Sequence, residues 1–148
     1  MQYNAIQEYL ATTTNPVQLV KHMDEVPESK INYPLIAQKK YDGIYVLTIV
    51  TPTAIHFHSR TGNELFGTLG VVLPDYTELP CGVYIGELVN EKLTLEELAG
   101  LVSSNRKKSW NDDEFYDMLA SYIMFHDYLS LEDFVAGYSP VAYSKRYK

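Results

Sequence analysis

The stretch LIAQKKYDGIYVLTIVTPTAIHFHSRTGN, residues 35–63, decides the fold. Residues 35–42 and 44–50 are rich in β-formers, and Thr51-Pro52-Thr53-Ala54 has the chemistry of a turn. Residues 55–59 then read as a return strand, and Arg60-Thr61-Gly62-Asn63 as another turn. Upstream, residues 4–25 carry an apolar stripe near helical spacing: Ile6, Tyr9 and Leu10, then Val17, Leu19, Val20 and Met23. Asn15-Pro16 is expected to split this stripe into two helices, with Asn15 as N-cap and Pro16 at the first helical position. Residues 27–34 read as an irregular connection. Downstream, residues 71–73 form a short apolar segment and residues 81–89 a strongly apolar strand. Thr94 with Glu97, and Asn111 with Glu114, have the spacing of capping boxes that open two helices. Residues 121–129 return to strand, and Ser130 opens a last short helix that Gly137 can end. Mixed hairpins and helices in this order predict an α+β fold rather than an alternating parallel one.

At 148 residues and 46% hydrophobic, the chain has the size and composition of about one domain with a real core. Thirteen Tyr suggest packed or stacking surfaces without naming a ligand. The net charge of −7 argues against a free-standing nucleic-acid-binding domain, which usually carries a basic balance. No apolar run approaches the ~20 residues of a membrane span, and the first ten residues lack the layout of a signal peptide. The single Cys81 excludes an internal disulfide framework and a multi-cysteine metal site. These features predict an acidic, soluble, cytoplasmic chain.

The densest chemistry lies in Gln38-Lys39-Lys40-Tyr41-Asp42-Gly43. If extended, this segment places Gln38, Lys40 and Asp42 on one face and Lys39 and Tyr41 on the other. An amide, an amine and a carboxylate would then line one wall, and Gly43 would allow a turn or a close backbone approach. The plain alternative is a solvated strand end with an exposed lysine pair. Three further motifs follow in order: Ser-Arg-Thr-Gly at 59–62, Gly-Glu-Leu-Val at 86–89 and His-Asp-Tyr-Leu at 126–129. Together with Lys-Tyr-Asp-Gly at 40–43, this series resembles the adenylation domain of ATP-dependent DNA ligases, especially small phage-type ones. These belong to the covalent nucleotidyltransferase superfamily. A lone Lys-x-Asp-Gly is common; four motifs in order are far more specific. The resemblance covers roughly residues 33–148.

The resemblance implies an antiparallel-sheet nucleotidyltransferase fold that is incomplete on its C-terminal side. It divides the chain into a helical lead-in at 1–30 and a β-rich nucleotide-binding part at 31–148. Lys40 matches the family's nucleophile, which attacks the α-phosphate of ATP and holds AMP as a lysyl phosphoramidate. An ordinary lysine amine is almost wholly charged at neutral pH, so this chemistry calls for a metal, nearby cations or partial burial around the nucleophile. Asp42 matches the carboxylate that helps place the lysine and the nucleotide. Gln38 occupies the position of a residue near the adenine ring, where an amide can both donate and accept. Arg60 matches an arginine near ribose and phosphates, a role suited to its fork of donors; the plain alternative is a surface turn arginine. Glu87 matches a glutamate near a ribose hydroxyl, and its carboxylate in an apolar strand calls for a partner. His126 stands where the family has the aromatic that stacks on adenine.

Three positions depart from the family pattern. Tyr45 replaces a cation, Ile85 replaces the Asp before Gly-Glu, and His126 replaces a larger Phe or Trp. The later Glu-Gly and Lys-x-Lys motifs are not found. The tail at 143–148 resembles the Tyr-x-x-Arg segment that follows the stacking strand in phage ligases. The expectation is therefore an N-terminal, nucleophile-bearing ligase subunit. A second subunit would supply the missing motifs and a DNA-gripping OB domain, and the assembled enzyme would act on nicked double-stranded DNA. Mg²⁺ would be held mainly by nucleotide phosphates and by that second subunit, with no metal ligand assigned in this chain. No membrane partner is expected, and the location is the cytoplasm, or a host's cytoplasm for a viral protein. A non-catalytic nucleotide- or protein-binding remnant of the fold and an RNA ligase relative are the alternatives. An exposed apolar edge or groove near the C-terminus, or a homo-oligomer covering it, is also expected.

Other clusters point to less. His56 and His58 share a strand face and are expected to face a partner or solvent. The basic cluster Asn105-Arg106-Lys107-Lys108-Ser109 suits either a nucleic-acid backbone or the end of the preceding helix.

Overall fold

The computed structural model describes residues 2–13, 16–17 and 22–146. Among them, four antiparallel strands form one sheet with helices on both faces, an α+β architecture. The strands are β1 (Ile44–Val50), β2 (Ile55–Ser59), β3 (Gly82–Asn90) and β4 (Ser121–Leu129), in the order β2-β1-β3-β4. The helices are α1 (Tyr3–Thr12), α2 (Leu69–Val72), α3 (Leu95–Val102), α4 (Asp112–Met118), α5 (Leu131–Ala136) and α6 (Tyr143–Arg146).

The first hairpin follows the expected turn. Thr51 N–H donates to the Ala54 carbonyl at 2.9 Å and sets Val50 opposite Ile55. Strand alternation then sorts side chains between two cores. Val46, Leu88 and Ile123 pack with Leu98, Leu101, Val102 and Met118 beneath α2, α3 and α4. Leu47, Ile49, Val83 and Ile85 pack on the opposite face with Ile6 and Leu10 of α1 and Leu131 and Phe134 of α5. Both capping boxes form: Thr94 accepts from Glu97 N–H, and Asn111 accepts from Glu114 N–H. Ser130 caps α5, and Gly137 ends it in the left-handed conformation.

Several expectations change. Residues 35–42 form no strand. Residues 35–40 are exposed, and β1 begins only at Ile44, opposite Leu88. Beyond that pair β3 runs on to Asn90 alongside β4, but residues 35–42 do not join it, and β-propensity alone does not make a strand. The N-terminal stripe gives one helix ending at Thr12 and a 3₁₀ turn at Met23–Glu25. Pro16 and Val17 are not helical, while Asn15, Leu19 and Val20 lie outside the described residues. The two histidines sit against α1 within this chain: Tyr3 stacks on the partly exposed His56 with centroids 3.5 Å apart, and His58 is buried. Within the basic cluster at 105–109, Arg106 is engaged inside the chain rather than at the end of α3. It pairs at 3.2 Å with Glu114 of the next helix and donates to the Lys108 carbonyl. β4 lies at one edge of the sheet, and near the C-terminal end Tyr138 and Val141 are exposed. No helix among the described residues is long and apolar enough to cross a membrane.

Candidate functional site

A cleft of about 630 Å³ opens on the α1/α5 face of the sheet, within the ~300–1,000 Å³ usual for small-molecule sites. Its walls include Tyr45 from β1, Ile85 from β3, His126 and Asp127 from β4, and Gln38. Phe134, Tyr143 and Arg146 close it from α5 and α6.

A β-bulge gives the cleft its polar wall. The register passes from Ile85 opposite Asp127 to Gly86 opposite Phe125, leaving His126 as the extra residue. Two consecutive side chains, His126 and Asp127, therefore line the same cleft. Their neighbours Phe125 and Tyr128 instead pack against Tyr84, with ring centroids 5.2 and 5.0 Å away. His126 meets the Tyr45 ring edge-on at 6.4 Å. Burial is the main cause that pushes the Tyr45 phenol up to about 12, with Asp127 adding to it and Arg60 opposing it. Tyr45 thus remains a neutral hydrogen-bonding group at physiological pH.

α6 holds the far wall. Arg146 grips both oxygens of Asp127 at 2.9 Å, and Tyr143 donates its hydroxyl to the His126 carbonyl at 2.7 Å. The Gln38 amide in turn donates to the Tyr143 hydroxyl. The segment two residues before Lys40 is thereby tied to α6 and to the edge of β4.

Glu87 lies on the same sheet face as Val83 and Ile85, beside Gly43. A Cβ at Gly43 would sit 2.3 Å from the Leu88 carbonyl oxygen and 3.3 Å from Glu87 Oε2. Only glycine permits that approach, so the end of Lys-Tyr-Asp-Gly rests directly on Gly-Glu-Leu-Val. Glu87 Oε2 is buried and has no hydrogen-bond partner among the described residues. Arg60 is exposed one residue beyond β2, near enough for its charge to reach the Tyr45 phenol.

The expected site residues are brought together in part. Gln38 and His126 line the cleft, and Glu87 lies under Gly43. Lys40 and Asp42 are exposed, and they and Arg60 stand outside the cleft lining. They do not form one strand wall with Gln38, because their segment is not a strand. Lys39 does share a side with Tyr41, its Nζ lying 4.9 Å from that ring centroid. Among the described residues no group of three His, Cys, Asp or Glu could hold a metal. The sequence singles out the Tyr-x-x-Arg tail by resemblance but assigns Tyr143 and Arg146 no role; their contacts to His126 and Asp127 come from the structure. The bulge that turns Asp127 into the cleft has no signal in the sequence.

The molecule is thus an α+β domain with a four-stranded antiparallel sheet and a cleft beside its edge strand. No family model matches it, and no curated protein compared with it matches. A solved structure named "Pmar-Lig_PreS3" is similar over 73% of this chain and 24% of its own, with 21% identity and a TM-score of 0.49. The chain therefore spans about a quarter of that protein's length.

Proposed function

We propose that this chain is the nucleophile-bearing part of a phage-type ATP-dependent DNA ligase, with the antiparallel sheet of a nucleotidyltransferase. The observation that carries the reading is the buried, unpartnered Oε2 of Glu87 against Gly43. A buried carboxylate oxygen without a donor is costly, and a ligand hydroxyl, such as that of a ribose, would satisfy it. This oxygen joins two of the four motifs at one point, and a third, through His126, borders the adjoining cleft.

In this reading ATP is the substrate, and its base lies between Ile85, Tyr45 and His126. Lys40 Nζ, as the neutral amine, forms a bond to the α-phosphorus while the bond to the bridging oxygen breaks. Pyrophosphate leaves, and the amine proton passes to solvent. Asp42 helps orient the lysine, and Arg60 binds phosphate. Mg²⁺ bound with the nucleotide phosphates would supply charge neutralisation there. The Glu-Gly and Lys-x-Lys chemistry and the OB domain would come from the rest of the ligase, proposed here as a second polypeptide, and the assembly would seal 5′-phosphate/3′-hydroxyl nicks in DNA.

Incubation with α-³²P-labelled ATP and Mg²⁺ tests this, with and without the polypeptide encoded by the next reading frame. Acid-labile label on Lys40 is expected, and none on Lys40→Ala. The second reading, a nucleotide-binding domain without covalent transfer, is favoured by the exposed position of Lys40 outside the cleft lining. ATP binding that saturates with no label on Lys40 under any of these conditions would select it. Sealing of nicked RNA in preference to nicked DNA would select an RNA ligase instead.

A further inference from the structure

The turn that carries Arg60 is fastened to α1, an element outside the four motifs. Its backbone closes on itself: Gly62 N–H donates to the Ser59 carbonyl at 2.9 Å, and Ser59 N–H to the Asn63 carbonyl at 2.8 Å. Gly62 adopts a φ of 93°, which favours glycine. Two contacts then fix the turn against the rest of the molecule. A Cβ at Gly62 would lie 3.4 Å from the Leu10 side chain, so the turn rests on α1. His58 Nδ1 lies 2.8 Å from the Gly62 carbonyl, and its Nε2 lies 2.5 Å from the Tyr3 hydroxyl.

The chemistry of these partners fixes the roles. A carbonyl can only accept, so Nδ1 carries the proton and donates. Nε2 of the neutral ring then accepts from Tyr3. Tyr3 itself is locked by its stack on His56, whose Nδ1 lies 3.2 Å from Glu64 Oε1. The relay from α1 through Tyr3 and His58 to Gly62 has both ends anchored, and His58 is only 4% exposed.

We propose that Tyr3 and His58 are positioning residues that set the placement of Arg60 toward the nucleotide. The functional half of this inference rests on the ligase reading; the geometric half does not. Tyr3→Phe removes one hydroxyl and keeps the ring stack. His58→Leu removes both hydrogen bonds, and His58→Asn keeps a donor that can reach the Gly62 carbonyl.

Two measurements on the full chain test the proposal. In ¹⁵N–¹H correlation spectra, the Arg60 and Gly62 amides should shift and their heteronuclear NOEs fall in Tyr3→Phe and His58→Leu. His58→Asn should restore much of the wild-type pattern. In α-³²P-ATP labelling, the KM for ATP should rise about threefold to tenfold in Tyr3→Phe, with the rate at saturating ATP changed less than twofold. A purely structural role would lower the melting temperature and leave KM unchanged. If His58→Leu does not fold, Tyr3→Phe carries both measurements. Unshifted Arg60 and Gly62 resonances in Tyr3→Phe, with wild-type labelling and KM, would overturn the inference. A wild-type chain that never labels overturns the ligase reading and the functional half with it, and the spectra then decide the geometric half.

Discussion

Gly43 and His58 are the two residues whose surroundings leave the least freedom. A methyl group at Gly43 would meet the Leu88 carbonyl at 2.3 Å, where only backbone can yield. Gly43→Ala is expected to cost about 2–3 kcal/mol of stability, measured as a lowered urea midpoint with an unchanged slope. A loss under about 0.5 kcal/mol, typical of an unconstrained surface site, would mean that β1 and β3 do not meet as described. His58 titrates below its ordinary value of 6.5, first because of burial, with His56 also lowering it and Gly62 and Glu64 opposing. A histidine with a depressed folded pKa leaves more protons on the unfolded state between the two values, so stability rises with pH there. The stabilisation is complete above pH 6.5 and is lost as pH falls through the depressed value. Melting temperatures between pH 7.5 and 5.5 should therefore fall more steeply in the wild type than in His58→Asn. Parallel profiles would contradict the buried, neutral ring.

Much at the scale of the element was legible in the sequence. β2 and β4 span the expected residues, and β3 is displaced from its expected bounds by one position at each end. The capping boxes at Thr94 and Asn111 set the starts of α3 and α4, because caps are short-range chemistry. Residues 35–42 carry β-formers but no strand, because a strand needs a pairing partner and composition does not show that β3 pairs with this segment only from Ile44 onward. The bulge at His126 is a feature of the β3–β4 register, which no local pattern encodes. Of the candidate site, Gln38 and His126 line the cleft and Glu87 lies against Gly43, while Lys40, Asp42 and Arg60 are exposed and outside its lining. α6 docks through the half-buried Arg146–Asp127 pair. Arg146→Ala leaves Asp127 without its cation, holding only the Tyr128 N–H, and should cost about 2 kcal/mol, a melting shift of roughly 4–8 °C at this size. It should also weaken nucleotide binding, because His126 and Gln38 are both tied to the same helix. A melting temperature within 1 °C of wild type would exclude that docking.

For the whole molecule, the charge of −7 acquires a specific meaning. A ligase must grip a polyanion, and a chain this acidic is poorly suited to be the main grip. The proposed second polypeptide should therefore be markedly more basic. Nick sealing by the mixture should fall steeply between 50 and 200 mM salt, while labelling of this chain by ATP changes little. Equal salt sensitivity of the two steps would argue against that division of labour. The central claim is tested most directly by mass spectrometry of the tryptic peptides after incubation with ATP and Mg²⁺, alone and with the second polypeptide. An acid-labile AMP adduct on Lys40, absent from Lys40→Ala, is the expected result. Saturable ATP binding with no adduct on Lys40 in either mixture would contradict it.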